Sequence, residues 1–213
     1  MSSEGSGERG LEQISLSFNK LSAGSPQDVA DAINVLNSIW PTAGGDLEAL
    51  FPELYPNSVP SDKREFNKEY WLTRDDKTQR PVGVVGLSEF QSDKPEHVWL
   101  GWFGIVKAMR RRNLGPGMID FVAKQAAKKG KDSLLVQRSD RPNMLGNEKF
   151  YQAQGFSNIV RVDPMGLIHK APEAADLPDE VIKTVIEIND GFEPISGVTN
   201  FIDKLRIGGK LGG

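Results

Sequence analysis

Apolar and polar positions along the chain follow two periods, and the switches between them mark the elements. Ile14, Leu16 and Phe18 alternate with Ser15, Ser17 and Asn19, the period of a half-buried strand. Val29, Ala32, Ile33, Leu36, Ile39 and Trp40 then recur every three or four positions and share one helix face. Ser25-Pro26-Gln27-Asp28 supplies the start of that helix, with serine at the N-cap, and Pro41 stops it. Residues 42–68 are rich in Pro, Gly, Asn and Ser and predict an irregular segment with a short helix over 46–54. Residues 69–73 and 82–90 read as strands joined by a polar turn, which makes a hairpin. After a second polar turn, residues 98–106 are apolar on both faces and predict a central strand. Gly101 and Gly104 inside it predict a bulge or the close approach of another backbone.

The second half continues the alternation of element types. Ile119, Val122, Ala123, Ala126 and Ala127 form the buried stripe of a helix over 118–129, with Asp120, Lys124 and Lys128 on its wet face and Gly130 as its cap. A short buried strand is expected over 133–137, a helix over 147–154 and two strands over 159–162 and 166–169. Beyond Ala171 the composition changes. Val181, Ile182, Val185 and Ile186 predict a helix over 177–188, and Val198, Phe201, Ile202 and Leu205 predict a second over 195–207. The resulting organisation is a disordered lead at 1–10, one folded domain at 11–170 and a C-terminal helical extension at 171–213. That extension reads as a flap on the core, an interaction tail or a homo-oligomer contact.

Composition narrows the chemistry. At 213 residues the chain can bury one substantial core plus an appendage. A formal charge of −3 gives no reason to expect nucleic-acid or anionic-membrane binding by the chain as a whole. The absence of cysteine excludes disulfides, thiolate metal ligands and a cysteine nucleophile. With only His97 and His169 available, no metal site is expected. No apolar stretch approaches membrane-spanning length and the polar N-terminus is no signal peptide, so the expectation is a cytoplasmic protein.

The segment with readable chemistry is Lys107-Ala-Met-Arg-Arg-Arg-Asn-Leu-Gly-Pro-Gly-Met118. It joins the central strand to a helix, and a strand that empties through a glycine turn into a helix is a place to hold phosphate. The first amides of the helix lack internal partners, the helix dipole favours an anion, and Lys107, Arg110, Arg111 and Arg112 add charge of the right sign. Gly115 and Gly117 would allow close approach and positive φ there. A Rossmann fingerprint fails because Asp120 stands at the position of its third glycine, and a P-loop fails for want of Gly-Lys-Ser/Thr.

The element order, together with two motifs, resembles the GNAT superfamily of acetyl-CoA-dependent N-acyltransferases. Arg112-Asn113-Leu114-Gly115-Pro116-Gly117 is similar to the family's R/Q-x-x-G-x-G/A, and Phe150-Tyr151-Gln-Ala-Gln-Gly155-Phe156 to its aromatic-Tyr-x-x-x-Gly-Phe. The resemblance implies an α/β (α+β) fold with a mixed, mostly antiparallel central sheet flanked by helices. It implies transfer of acetyl from acetyl-CoA to a small-molecule or protein amine by direct attack in a ternary complex. The CoA phosphates would lie at residues 112–117, and the pantetheine arm would pair beside Ile105, Val106 and Lys107. Tyr151 holds the position of the acid that protonates the departing thiolate, and a phenol suits a thiolate of comparable basicity. The family's asparagine falls at Met144 here, so Asn143 and Asn147 are the nearby candidates for cofactor contact. The base is sought among Glu89, Glu96 and His97, with Glu89 carried forward. The rival reading is a catalytically weak GNAT-like binding or scaffold protein whose C-terminal tail mediates assembly.

Overall fold

The computed structural model of the chain describes residues 14–41, 43–57, 66–90, 93–140, 147–190 and 198–207. The expected lead at 1–10 lies outside the described residues. The elements are β1 (Leu16–Lys20), α1 (Pro26–Ile39), α2 (Gly45–Leu50), β2 (Phe66–Asp75), β3 (Pro81–Phe90) and β4 (His97–Ile105), then α3 (Leu114–Lys128), β5 (Ser133–Ser139) and α4 (Asn147–Ala153). β6 (Ser157–Val162), β7 (Ile168–Lys170), α5 (Asp179–Asp190) and β8 (Asn200–Arg206) complete the order.

The strands make one mixed sheet, ordered β1-β2-β3-β4-β5-β8-β6-β7. Every neighbouring pair is antiparallel except β4 with β5. On one face, the α1 stripe of Val29, Ala32, Ile33 and Leu36 packs on Tyr70, Leu72 and Val84. Arg74 of β2 ties the outer side of α1 down, with its guanidinium 2.6 Å from both Asp28 and Asp31. On the same face but farther along the sheet, Val181, Ile182 and Val185 of α5 cover Leu135, Val160 and Ile202. The opposite face carries α3 and α4: Met118, Ile119, Val122, Ala126 and Tyr151 pack on Val85, Leu87, Val98, Leu134 and Leu205. Burial of these side chains, at about 1.5–3 kcal/mol each, is what holds the helices to the sheet.

Two expectations change. The helix expected from Met118 begins at Leu114, so Gly115 and Gly117 are helical residues rather than turn residues. The helix expected over 195–207 is strand β8, and it lies between β5 and β6 in the sheet. The tail is therefore not an appended helical piece, and the sheet is incomplete without it. β5 and β6 each offer a free edge, and ladder bonds to both outweigh a helical spacing of apolar residues. β8 alternates as a strand should, with Thr199, Phe201, Asp203, Leu205 and Ile207 on the α3 face. A charged residue at the centre of that buried row hides the pattern.

Asp203 is buried because it is paired. Its Oδ2 accepts from Arg138 Nε of β5 at 2.5 Å, and its Oδ1 accepts from the Asn158 side chain at 3.0 Å. The Arg138 guanidinium also lies 4.1 Å over the Phe201 ring. Asp203→Ala would leave the arginine charge buried without its carboxylate. That substitution is expected to lower unfolding free energy by about 3–5 kcal/mol in urea titrations.

Candidate active site between β4 and β5

β4 and β5 pair only at His97–Trp99 against Ser133–Leu135. Beyond that point β4 stays on β3 and β5 stays on β8, so the two strands part and residues 100–105 of β4 have no neighbour on their β5 side. At about 3.3 Å per residue, this leaves roughly 20 Å of unpaired strand edge in the middle of the sheet. Within it β4 carries a bulge: Gly86 pairs with Gly101 and Val84 with Gly104, so β4 spends one more residue than β3. Trp102 occupies the bulge at φ 29°, a conformation that costs a bulky residue about 1–3 kcal/mol. The bulge expected from Gly101 and Gly104 is present. Gly104 has a packing reason as well, since a Cβ there would lie 2.7 Å from the Trp40 ring.

The chain leaves β4 through a 3-10 turn, Lys107–Met109, and twice enters the left-handed region, at Arg111 (φ 62°) and Asn113 (φ 59°), before α3 begins. The positive φ expected of the glycines thus belongs to an arginine and an asparagine. Gly115 is small for another reason: a Cβ on it would come within 2.9 Å of the Phe150 ring of α4. Helix geometry leaves the amides of Leu114 and Gly115 without internal acceptors, and Pro116 has no N–H to satisfy. No acidic residue occupies the first turn of α3, and Lys107, Arg110, Arg111 and Arg112 are all exposed around it. Arg110 Nε donates to the Ile105 carbonyl at 3.0 Å, which folds the basic loop back on the end of β4.

Tyr151 of α4 is buried on the α3 side of the sheet, beside the open stretch of β4. Its ring centroid lies 6.4 Å from that of Phe103, the residue after the bulge, and 5.3 Å from that of Phe156. Burial first, and then the nearby Asp203 carboxylate, pushes the phenol pKa well above its ordinary value, against the opposing effect of Arg138. Tyr151 therefore stays protonated across any working pH. Asn147, at the start of α4, is exposed, and Asn143 lies outside the described residues.

The expected bases do not join this site. Glu89 receives hydrogen bonds from Lys131 at 2.7 Å and Lys129 at 3.2 Å, beside the C-terminal end of α3. Burial raises its pKa, but these two lysines outweigh that and hold it below the usual carboxylate value. With α3 between them, Glu89 and the glycine turn are about 20 Å apart. His97 Nδ1 is hydrogen-bonded to Asp93 Oδ1 at 2.9 Å, and Asp93 Oδ2 accepts from the Trp99 indole at 2.8 Å. The Glu96 carbonyl accepts from the amides of Asp132 and Ser133. All three lie at the paired end of β4, away from the gap.

A bulged strand, a parted parallel pair, a basic helix-opening turn and a buried phenol packed beside the bulged strand thus occur together. The sequence profile of the Acetyltransferase (GNAT) family matches residues 34–156. The chain belongs to that family. This GNAT chain is an acetyltransferase by membership, and no curated protein sequence matches it. Among solved structures it is similar to a protein of the GNAT family from Desulfovibrio desulfuricans, with 14% identity, a TM-score of 0.62 and coverage of 91% of this chain and 99% of that one. An aminoglycoside 6'-N-acetyltransferase complexed with coenzyme A shares 11% identity, with a TM-score of 0.57 and coverage of 90% and 97%. The ribosomal-protein-S18-alanine N-acetyltransferase from Escherichia coli shares 9%, with a TM-score of 0.56 and coverage of 91% and 94%. At these identities the likeness is one of fold, and it takes in a large, mostly antiparallel sheet with flanking helices. Among the described residues no helix is long and apolar enough to cross a membrane, and no cluster of side chains could hold a metal ion.

Of the expected site, the motif residues around the turn and Tyr151 come together, while Glu89 separates from them. The sequence reading missed Trp102, Asp46 and the Arg138–Asp203 pair. Only the glycines of β4 hinted at the first of these. The two motif glycines have different duties, which melting experiments separate. Gly115→Ala drives a Cβ against Phe150 and is expected to cost about 1–3 kcal/mol. Gly117→Ala meets only Leu16, at 3.6 Å, and is expected to gain about 0.4–1 kcal/mol.

Proposed function

We propose that the protein transfers the acetyl group of acetyl-CoA to a primary amine, by direct attack within a ternary complex. The observation that carries the reading is the β4–β5 gap. It is bounded at one end by the cationic first turn of α3 and on the α4 side by Tyr151. The pyrophosphate of CoA would take the free amides of Leu114 and Gly115, with Arg112 and its neighbours balancing the charge. The pantetheine arm would pair as an added strand along the open edge of β4 that ends at Ile105; Val106, bonded to Val82 and Met109, and Lys107, whose carbonyl accepts from the Arg110 amide, would flank it.

At the reacting end, the amine nitrogen attacks the thioester carbonyl carbon, the N–C bond forms and the C–S bond breaks. The excess proton leaves the nitrogen, and the departing sulfur gains one. Tyr151 is the group that donates a hydrogen bond to that sulfur. Its raised pKa makes it a weaker acid than a free phenol, so stabilising the thiolate by hydrogen bonding dominates over complete proton transfer. With Glu89 remote, the amine proton passes to solvent at the open side of the gap. The domain doing this work runs through β8 rather than ending near residue 170. The solved relatives include, by their names, enzymes for a ribosomal-protein alanine and for aminoglycosides, so protein and small-molecule amines both suit this architecture.

The test is a thiol-release screen with acetyl-CoA against protein N-termini, lysines, polyamines, amino acids and aminoglycosides. Absence of CoA binding by calorimetry at millimolar ligand, with the protein folded, would falsify the reading. In the active pairing, Tyr151→Phe should lower kcat about 100-fold while acetyl-CoA affinity changes by less than about twofold. Because the phenol stays protonated, the wild-type to variant rate ratio should be constant from about pH 7 to about pH 9.5. A ratio that collapses towards alkaline pH would remove Tyr151 from the reaction as a donor.

A further inference from the structure

The strained residue of the bulge is held by a side chain from another layer. Trp102 Nε1 donates to Asp46 Oδ2 at 2.6 Å, and Lys68 Nζ lies 3.8 Å from the same oxygen. The Trp102 ring packs at 53° on Trp40, with centroids 5.6 Å apart, and Trp40 itself lies against Gly104. Asp46 stands in the first turn of α2, and that turn is itself tethered. The Gly44 amide donates to Asn37 Oδ1 of α1 at 3.0 Å, and a Cβ on Gly44 would collide with Ile33. Gly86 is bare because the Tyr70 ring lies across it, 2.5 Å from where a Cβ would stand, so the ring packs beside the bulge on the face that carries α1 and α2.

We propose that Asp46 is a positioning residue for acetyl transfer: it latches the indole of Trp102 to α2 and so holds the β4 bulge in its left-handed form. The inference rests on the acetyl-transfer reading above. A bulge leaves main-chain groups unpaired and turns them out of the ladder. Here Trp102 and Phe103 have no partner in β3 and lie on the stretch of β4 that β5 leaves open, beside the Tyr151 ring, where the thioester carbonyl would lie. A tryptophan at φ 29° is strained and persists only where its surroundings hold it, here the ladder pairs at Gly101 and Gly104 and the contacts of its own ring. An indole N–H is a single donor; the Tyr70 hydroxyl also lies within its reach, but Asp46 brings the charged acceptor, on a tethered helix turn, and so fixes the ring and the backbone that bears it.

Two measurements judge the latch. The Trp102 indole N–H is followed by nitrogen-edited NMR in the free protein and identified by its loss in Trp102→Phe. Its solvent exchange should be slow in wild type and in Asp46→Asn, which keeps an acceptor oxygen, and at least about tenfold faster in Asp46→Ala. Calorimetry with acetyl-CoA and with CoA then reads the bulge. Asp46→Ala should weaken acetyl-CoA about tenfold but weaken CoA, which lacks the acetyl carbonyl, by less than about twofold. The double variant Asp46→Ala/Trp102→Phe should bind acetyl-CoA no more weakly than the worse single variant. Unchanged indole exchange in Asp46→Ala, equal losses for both ligands, or multiplicative losses in the double variant would each overturn the latch. A wild-type protein that binds neither ligand overturns the acetyl-transfer reading and the positioning role together. That result is distinct from failure of the latch alone, in which CoA binding survives.

Discussion

Two parallel strands that pair over three residues and then part are the constraint on which the molecule depends. β4 is bonded along most of its length to β3, and β5 along its whole length to β8. Each strand is therefore secured on its outer side, and the pair can part after Trp99 and Leu135 without loosening either. The opening cannot collapse. On one face Trp40 rests on the β4 backbone at Gly104, and on the other Phe103, Phe150 and Tyr151 form an aromatic wall. A gap of this kind supplies unsatisfied main-chain groups inside a rigid frame, which a strand-like ligand can use without a folding cost.

Charge is distributed to match. The exposed cations precede α3, at the end of the gap where a pyrophosphate would sit, and the helix dipole adds to them. Anionic side chains near the gap are engaged elsewhere: Asp203 by Arg138 and Asn158, Asp46 by Trp102. The Arg138–Asp203 pair also sets the surroundings of Tyr151. Burial keeps the phenol protonated, the Asp203 carboxylate adds to that, and the Arg138 guanidinium moderates it. The strand that completes the sheet thereby also supplies a charge to the site.

The sequence made legible whatever depends on neighbours along the chain. The stripe of α1, the hairpin of β2 and β3, the two-faced apolar run of β4 and the strand–turn–helix at residues 105–128 follow from periodicity and punctuation. The motifs at Arg112–Gly117 and Phe150–Phe156 were readable because each is a short local run of cations and glycines or of aromatics and glycine. The glycines of β4 announced a bulge because only a bulge or a close contact makes them worthwhile.

What the tertiary structure decided was everything that needs partners far apart in the chain. Whether residues 200–206 form a helix or a strand was set by the free edges of β5 and β6, which no local period encodes. Glu89 left the candidate site because Lys129 and Lys131 claim it at the far end of α3. The duty of Gly115 was set by a phenylalanine in α4, and that of Asp46 by a tryptophan in β4. Local periodicity and motif chemistry thus determined the element types and the family's turn. Long-range hydrogen bonds and steric contacts determined which strand closes the sheet and which polar side chains meet at the gap.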